Sequence, residues 1–316
     1  MKHKSVLVAG ATGYLGQYLV QEFIKRKYNV RILIRKESQK EIFAEMHDVI
    51  DFFVGEITNP NSLSGCCVNI DWVVSTVGIT RQKDGLTYMD VDYQGNSNLL
   101  NEAKLQASSL TSSSGVELFL YVSAIGGDKL RQLKIFEAKE RFVDELKESG
   151  IKHTIVMRPN GFFSDMRDFL DMAKGGAVYL FGHGEYQFNP IHGTDLANVC
   201  VDTMIQNSSR SANADGVSHK ELSVGGPDMF TLNEVAILAL KAWGKDPPRI
   251  IHVPHWIRKF IMWTMRTFTS STTYGPIEFF LTMMAMDSKA DMFGTHHLYD
   301  FFTEEVENVE NNQSEH

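Results

Sequence analysis

"VLVAGATGYLGQYLV", Val6–Val20, decides the fold of this chain. Val6, Leu7 and Val8 make a short apolar run of the kind found in a buried parallel strand, and Leu15, Leu19, Val20, Phe23 and Ile24 then recur at helical spacing. The local order is strand, tight turn, helix. Gly10, Gly13 and Gly16 are spaced G-x-x-G-x-x-G across the turn. Glycine lets the backbone turn sharply, approach a pyrophosphate closely and pack the helix against the strand. The first-turn N–H groups and the helix dipole would then face the phosphates. Three glycines alone also suit an ordinary strand-to-helix turn, so the context decides between the two readings.

Further apolar strands are expected at Val30–Ile34, Phe52–Val54, Trp72–Ser75, Phe119–Ser123 and Thr154–Met157, with helix-like stretches between most of them. That alternation predicts an α/β fold of Rossmann type, a doubly wound parallel sheet. Residues 1–158 form the expected dinucleotide-binding domain, to which a later strand, Glu221–Val224, returns. Residues 159–302 read as a smaller, partly helical substrate-side region. Within it, Lys174–Gly184 reads as glycine-rich loop, and Thr231 and Glu234 have capping-box spacing ahead of Ala236, Leu240 and Trp243. "SSLTSSSG", Ser108–Gly115, reads as a mobile polar loop, and the acidic stretch 303–316 as a disordered tail.

A chain of 316 residues can bury a sizeable core. A net charge of −8 without a basic, aromatic-interleaved stripe argues against nucleic acid as a partner. The first strand begins just after Lys4, leaving no space ahead of it for a secretory signal's apolar segment, so a cytoplasmic protein is expected. Cys66, Cys67 and Cys200 show neither a disulfide framework nor metal-ligand spacing, and the scattered histidines lack the acidic or thiol neighbours of a zinc site, so no metal is expected. Trp256–Phe268 and Pro276–Met286 are rich in Trp, Phe, Met and Ile but too short to cross a bilayer. The first carries Arg258, Lys259 and Arg266, which suits a helix lying in a membrane interface, a pocket wall or a dimer contact. A monomer or homodimer is expected.

At the exit of the second strand, "RILIRKE" places Arg35 and Lys36 where an NAD-binding carboxylate would stand, favouring NADP(H). Glu37 keeps NAD(H) open, as does the reading of Arg35 and Lys36 as a solvated strand exit. With "GATGYLG", the segments "GEITNPNSL", "VSTVG", "YVSAIG" and "MRPNGFF" follow successive strands in register. On these motifs the sequence resembles the atypical short-chain dehydrogenase/reductase superfamily, within it the NmrA-like and isoflavone-reductase-like branch. The resemblance runs from about Ser5 to Lys245. It implies a cofactor turn at Gly10, Thr12, Gly13, Tyr14, Leu15 and Gly16. It further implies Glu56 and Ile57 near adenine, Thr76, Val77 and Gly78 along ribose and phosphates, and Pro159, Asn160, Gly161 and Phe162 beside the nicotinamide.

The superfamily's Tyr-x-x-x-Lys pair is incomplete: Lys139 stands where the lysine belongs and Ile135, which donates no proton, where the tyrosine belongs. Lys139 shares a helix face with Ile135, Phe142 and Leu146, so it either meets cofactor hydroxyls there or snorkels from the stripe's edge. Ser123 matches the superfamily's catalytic serine, with a turn cap as the competing role. Tyr121 reads as a strand side chain rather than a replacement acid, and His192 as a less favoured acid or base. Two functions stay open: an NADP(H)-dependent reductase of a small hydrophobic carbonyl or conjugated alkene, with Lys139 assisting proton transfer, and a non-catalytic NADP(H) sensor or assembly factor.

Overall fold

The structure, a computed structural model, describes residues 4–80, 85–107, 115–210 and 216–314. The serine-rich segment 108–114 lies outside them.

Eight strands form one sheet in the order β12-β9-β6-β5-β4-β1-β2-β3. They are β1 (Ser5–Ala9), β2 (Asn29–Ile34), β3 (Ile50–Val54), β4 (Trp72–Ser75), β5 (Leu118–Val122), β6 (His153–Pro159), β9 (Ser218–Gly225) and β12 (Asp291–Met292). All the pairings from β3 to β6 are parallel. β1, β4 and β5 carry near-continuous apolar residues and β6 is buried throughout, because a parallel sheet is covered on both faces. The order reverses at β1, with β2 on one side and β4 on the other, so the loops after β1 and β4 border the crevice where ligands enter such sheets.

The crossovers include α1 (Tyr14–Lys25), α2 (Asn96–Ala107) and α3 (Lys134–Lys147). On α1, Leu15, Leu19, Val20 and Phe23 of the predicted stripe are buried, and Ile24 is half-buried. On α3 they include Ile135, Phe142 and Leu146 with Lys139 among them.

The chain divides into two compact units: 1–158 with 196–222, and 159–195 with 223–316. The core of the first gathers Leu7, Val73, Phe119, Phe142 and Val156. The second contains α4 (Arg167–Lys174), the parallel pair β7 (Val178–Phe181) and β11 (Ile250–Val253), the short pair β8 (Gln187–Phe188) and β10 (Phe230–Thr231), and α6 (Leu232–Ala242). It also holds α7 (His255–Phe268), α8 (Ser271–Met283) and α9 (Leu298–Ser314), while α5 (Gly193–Arg210) leads from the second unit into the first. Thr231 and Glu234 form the capping box that opens α6.

Two expectations are corrected. Lys174–Gly184 is not all loop: Val178–Phe181 is β7, held by hydrogen-bonded pairing with β11, a partner far along the chain. The acidic stretch from Thr303 is not disordered but helical through Ser314, because Leu298, Phe302 and Val306 bury an i, i+4, i+8 stripe in the second unit's core.

Candidate functional site

The site in the first unit is built on the first βα turn. Gly10 has φ +79°, and a Cβ on it would come within 2.5 Å of Thr76 Oγ1, so glycine is required both by the backbone and by the approach of the β4 loop. Thr76 in turn donates to the carbonyls of Ala9 and Gly10, at 3.2 Å each. A Cβ on Gly16 would strike the Gly10 carbonyl, which is why α1 can pack against the turn. Gly13 caps α1 without a side-chain hydrogen bond, and its first turn carries no acidic residue. The helix start thus presents its dipole to an anion rather than to a protein carboxylate.

The neighbouring loops are pinned from behind. Ser75 Oγ donates to Asn96 Oδ1 at 2.5 Å, and Asn96 Nδ2 donates to the carbonyls of Val77 and Asp92, fixing the Thr76–Gly78 segment. Asn98 Nδ2 donates to the Ile57 carbonyl at 3.0 Å, and the Glu56 N–H donates to Ser62 Oγ at 2.9 Å, fixing the turn after β3. Arg35 and Lys36 are exposed at the end of β2, where Gln39 Oε1 accepts from both of their N–H groups.

Lys139 is buried, and its ammonium lies 2.8 Å from Asp92 Oδ1. The two groups meet as charges, without the alignment of a hydrogen bond at Oδ1, while Oδ2 accepts from the Ile79 N–H at 3.1 Å. Asp92, fully buried in the π-helical turn Met89–Gly95, is a residue sequence reasoning missed; its only signal is an acid flanked by Val91 and Tyr93. Burial pushes the Asp92 carboxyl up, against the opposing pull of Lys139. For Lys139, burial alone would lower the pKa, but the carboxylate of Asp92, with the Tyr121 hydroxyl beside it, outweighs burial and raises it. The lysine stays an ammonium at neutral pH, raised above its ordinary value by the carboxyl beside it.

A Cβ on Gly78 would fall 2.6 Å from Asp92 Oδ1 and 2.7 Å from Lys139 Nζ. Gly78 is itself exposed and lies directly over the pair, of which Asp92 is sealed from solvent and the Lys139 side chain keeps 11% of its surface. The Tyr121 ring lies 5.6 Å from Lys139 Nζ, and its buried hydroxyl has no aligned hydrogen-bond partner among the described residues. Burial pushes that phenol well up, so it remains a proton donor. Ile135 is buried and contributes packing alone.

Ser123 is placed differently. Its hydroxyl donates to Glu140 Oε1 at 2.9 Å, and Glu140 is held by a two-pronged contact from Arg158 at 2.6 and 2.8 Å. Arg158 continues to Glu221 at 2.9 Å. Glu140 went unread as well, although Phe136, Glu140 and Val143 make one i, i+4, i+7 stripe. Pro159, Asn160, Gly161 and Phe162 begin the second unit. There Asn160 Nδ2 donates to Asn189 Oδ1 at 2.8 Å, Ser288 Oγ donates to Asn160 Oδ1 at 2.8 Å, and Gly161 has φ +27°. His192 stacks on His296 at 4.5 Å, and His296 Nδ1 contacts Asp195 at 2.8 Å, all within that unit.

An uncapped helix start between the constrained Gly10 and Gly16 fits a pyrophosphate, and an ammonium beneath an exposed glycine fits a ribose diol. The family model described as NAD(P)H-binding matches residues 10–206. The chain belongs to this NAD(P)H-binding family. Among relatives of the NAD(P)H-binding chain, it is 27% identical over 278 residues to the divinyl chlorophyllide a 8-vinyl-reductase, chloroplastic, of Arabidopsis thaliana, covering 83% of this chain and 62% of that protein. It is 28% identical over 162 residues to the photosystem II assembly factor Ycf39 of Cyanophora paradoxa, covering 51% and 47%. The chain therefore spans under two thirds of the length of these relatives. In fold it is similar to a nucleoside-diphosphate-sugar epimerase from Staphylococcus aureus, with a TM-score of 0.67 at 16% identity over 95% of this chain and 99% of the other.

Proposed function

We propose that this chain is an NADP(H)-dependent reductase of a small hydrophobic molecule bearing a carbonyl or a conjugated alkene. The observation that carries the reading is the Lys139 ammonium, held by Asp92 directly beneath the exposed Gly78, with the phenol of Tyr121 beside it. The bound dinucleotide supplies hydride chemistry. The chain's own residues do the rest. Gly10, Gly13 and the start of α1 take the pyrophosphate, and Thr76, Val77 and Gly78 line the path toward Lys139. Lys139 donates to ribose hydroxyls and holds a proton at Nζ for delivery, directly or through water. Glu56 and Ile57 flank the adenine. Pro159–Phe162 serve the nicotinamide end, and Ser123, which donates to Glu140 and accepts from Arg158, retains one lone pair that can accept from a ligand. Exposed Arg35 and Lys36 favour the 2′-phosphate of NADP(H). The vinyl reductase among the relatives supports an alkene substrate.

A second reading has its own support. Ile135 occupies the tyrosine position, Tyr121 is fully buried, and an assembly factor is among the relatives, as a non-catalytic NADP(H)-binding protein would have it. One titration series tests both readings. NADPH and NADH are titrated by nicotinamide fluorescence on the wild type, Arg35→Glu and Lys139→Ala, followed by a screen for NADPH oxidation with hydrophobic enones and vinyl arenes. The reductase reading expects preferential NADPH binding, loss of that preference in Arg35→Glu, weaker binding in Lys139→Ala, and turnover. Tight binding without turnover across the screen favours the non-catalytic reading, and no binding of either nucleotide ends both.

A further inference from the structure

We infer that α7 is a docking helix for an anionic lipid surface, lying flat in the membrane interface. None of its residues is buried. Trp256, Phe260 and Trp263 recur at i, i+4, i+7 and are 67%, 56% and 59% exposed, and Phe268, which ends the helix, is 77% exposed. At about 200 Å² per aromatic side chain, these four present roughly 500 Å² to solvent, at the upper end of what a soluble monomer shows.

Charge selects the occupant. From Pro247 to Ile277 the sequence contains no Asp or Glu, in a chain whose net charge is −8, while Arg249, Arg258, Lys259 and Arg266 fall within that stretch. Arg258 donates to the Leu281 carbonyl of α8 and Arg266 pairs with the buried Glu278, which ties α7 to α8 and leaves the aromatic stripe facing outward. Lys259 lies exposed alongside the stripe. Two tryptophans and a phenylalanine beside a lysine suit the headgroup boundary, where an indole ring is half solvated and a cation meets lipid phosphate. Among the described residues no helix is long and apolar enough to cross a membrane, so the contact is a surface one. An uncharged protein groove would take the aromatic stripe but would have no use for the acid-free cationic stretch around it.

The test uses the full chain with vesicles of phosphatidylcholine alone and of phosphatidylcholine with phosphatidylglycerol, read by co-sedimentation and by quenching from brominated acyl chains. Trp72 is fully buried and Trp243 donates to the Leu170 carbonyl, so lipid quenching reports on Trp256 and Trp263. Binding to the anionic vesicles is expected, weakened by salt, with tryptophan quenching. Trp256→Ser with Trp263→Ser should lower the partition at least about tenfold, and Lys259→Glu should lower it for anionic vesicles. The far-ultraviolet circular dichroism of these surface variants should match the wild type. Absence of binding to either vesicle, or binding that these substitutions leave unchanged, overturns the proposal. So does a stripe whose substitution alters only oligomeric mass by light scattering, which would make α7 a protein contact.

Discussion

The Lys139 ammonium lies 2.8 Å from the Asp92 carboxylate, and the two are joined under Gly78, whose missing side chain leaves both groups their place. Burying two charges is costly, and the pair is stable only as a pair. Asp92→Ala should therefore cost about 3–5 kcal/mol, by leaving the Lys139 cation buried alone. Lys139→Met should cost less than that, because Asp92 can neutralise by taking a proton, and the double variant should recover part of the loss. Urea unfolding of the four proteins checks the cycle, and additive losses would show that the two residues do not act together.

The glycines separate binding from folding. Gly78→Ala puts a methyl group against Asp92 and Lys139, so nucleotide affinity should fall at least tenfold, about 1.4 kcal/mol, with a loss of Tm smaller than that of Gly10→Ala because only side chains must shift. Gly10→Ala should lose both binding and stability, since φ +79° is strained for alanine and its Cβ meets Thr76. Calorimetric titration beside thermal melts distinguishes the two.

Ser123, Glu140 and Arg158 form a buried charged cluster whose largest stake is stability. Glu140→Ala should cost about 3 kcal/mol, leaving the buried Arg158 with Glu221 alone, whereas Ser123→Ala should cost about 1.5 kcal/mol, the worth of a hydrogen bond to a charged group. Denaturant midpoints give both values. A loss of turnover in Ser123→Ala far beyond its loss of stability would place the hydroxyl on substrate.

Two histidines of the second unit should respond to pH in opposite senses. His297 Nδ1 contacts Asp228 at 2.6 Å, and that carboxylate raises its pKa. Its contribution is thus fully present below the ordinary imidazole value and is lost as pH rises through the raised one. Burial pushes His192 down, with the neighbouring His296 adding to the shift. Stability should fall as pH drops from the ordinary imidazole value to the lowered pKa of His192. Proton NMR titration should place His297 above and His192 below a model imidazole, with Asp228→Asn returning His297 toward it.

The sequence by itself determined the strand, turn and helix of Val6–Val20, the succession of parallel strands and the α6 cap, because glycine geometry, apolar periodicity and capping act over a few residues. It also marked Lys139 as a charge within an apolar helix face. Even the α9 stripe was readable, since Val306 continues Leu298 and Phe302 past the acidic residues that drew attention away from it. Only the tertiary structure decided that Asp92 meets Lys139, that Glu140 and Arg158 take up Ser123, and that β7 pairs with β11. The reason is physical: a buried charge is tolerated only with a partner, and that partner is brought in by the packing of distant segments, which local pattern does not encode.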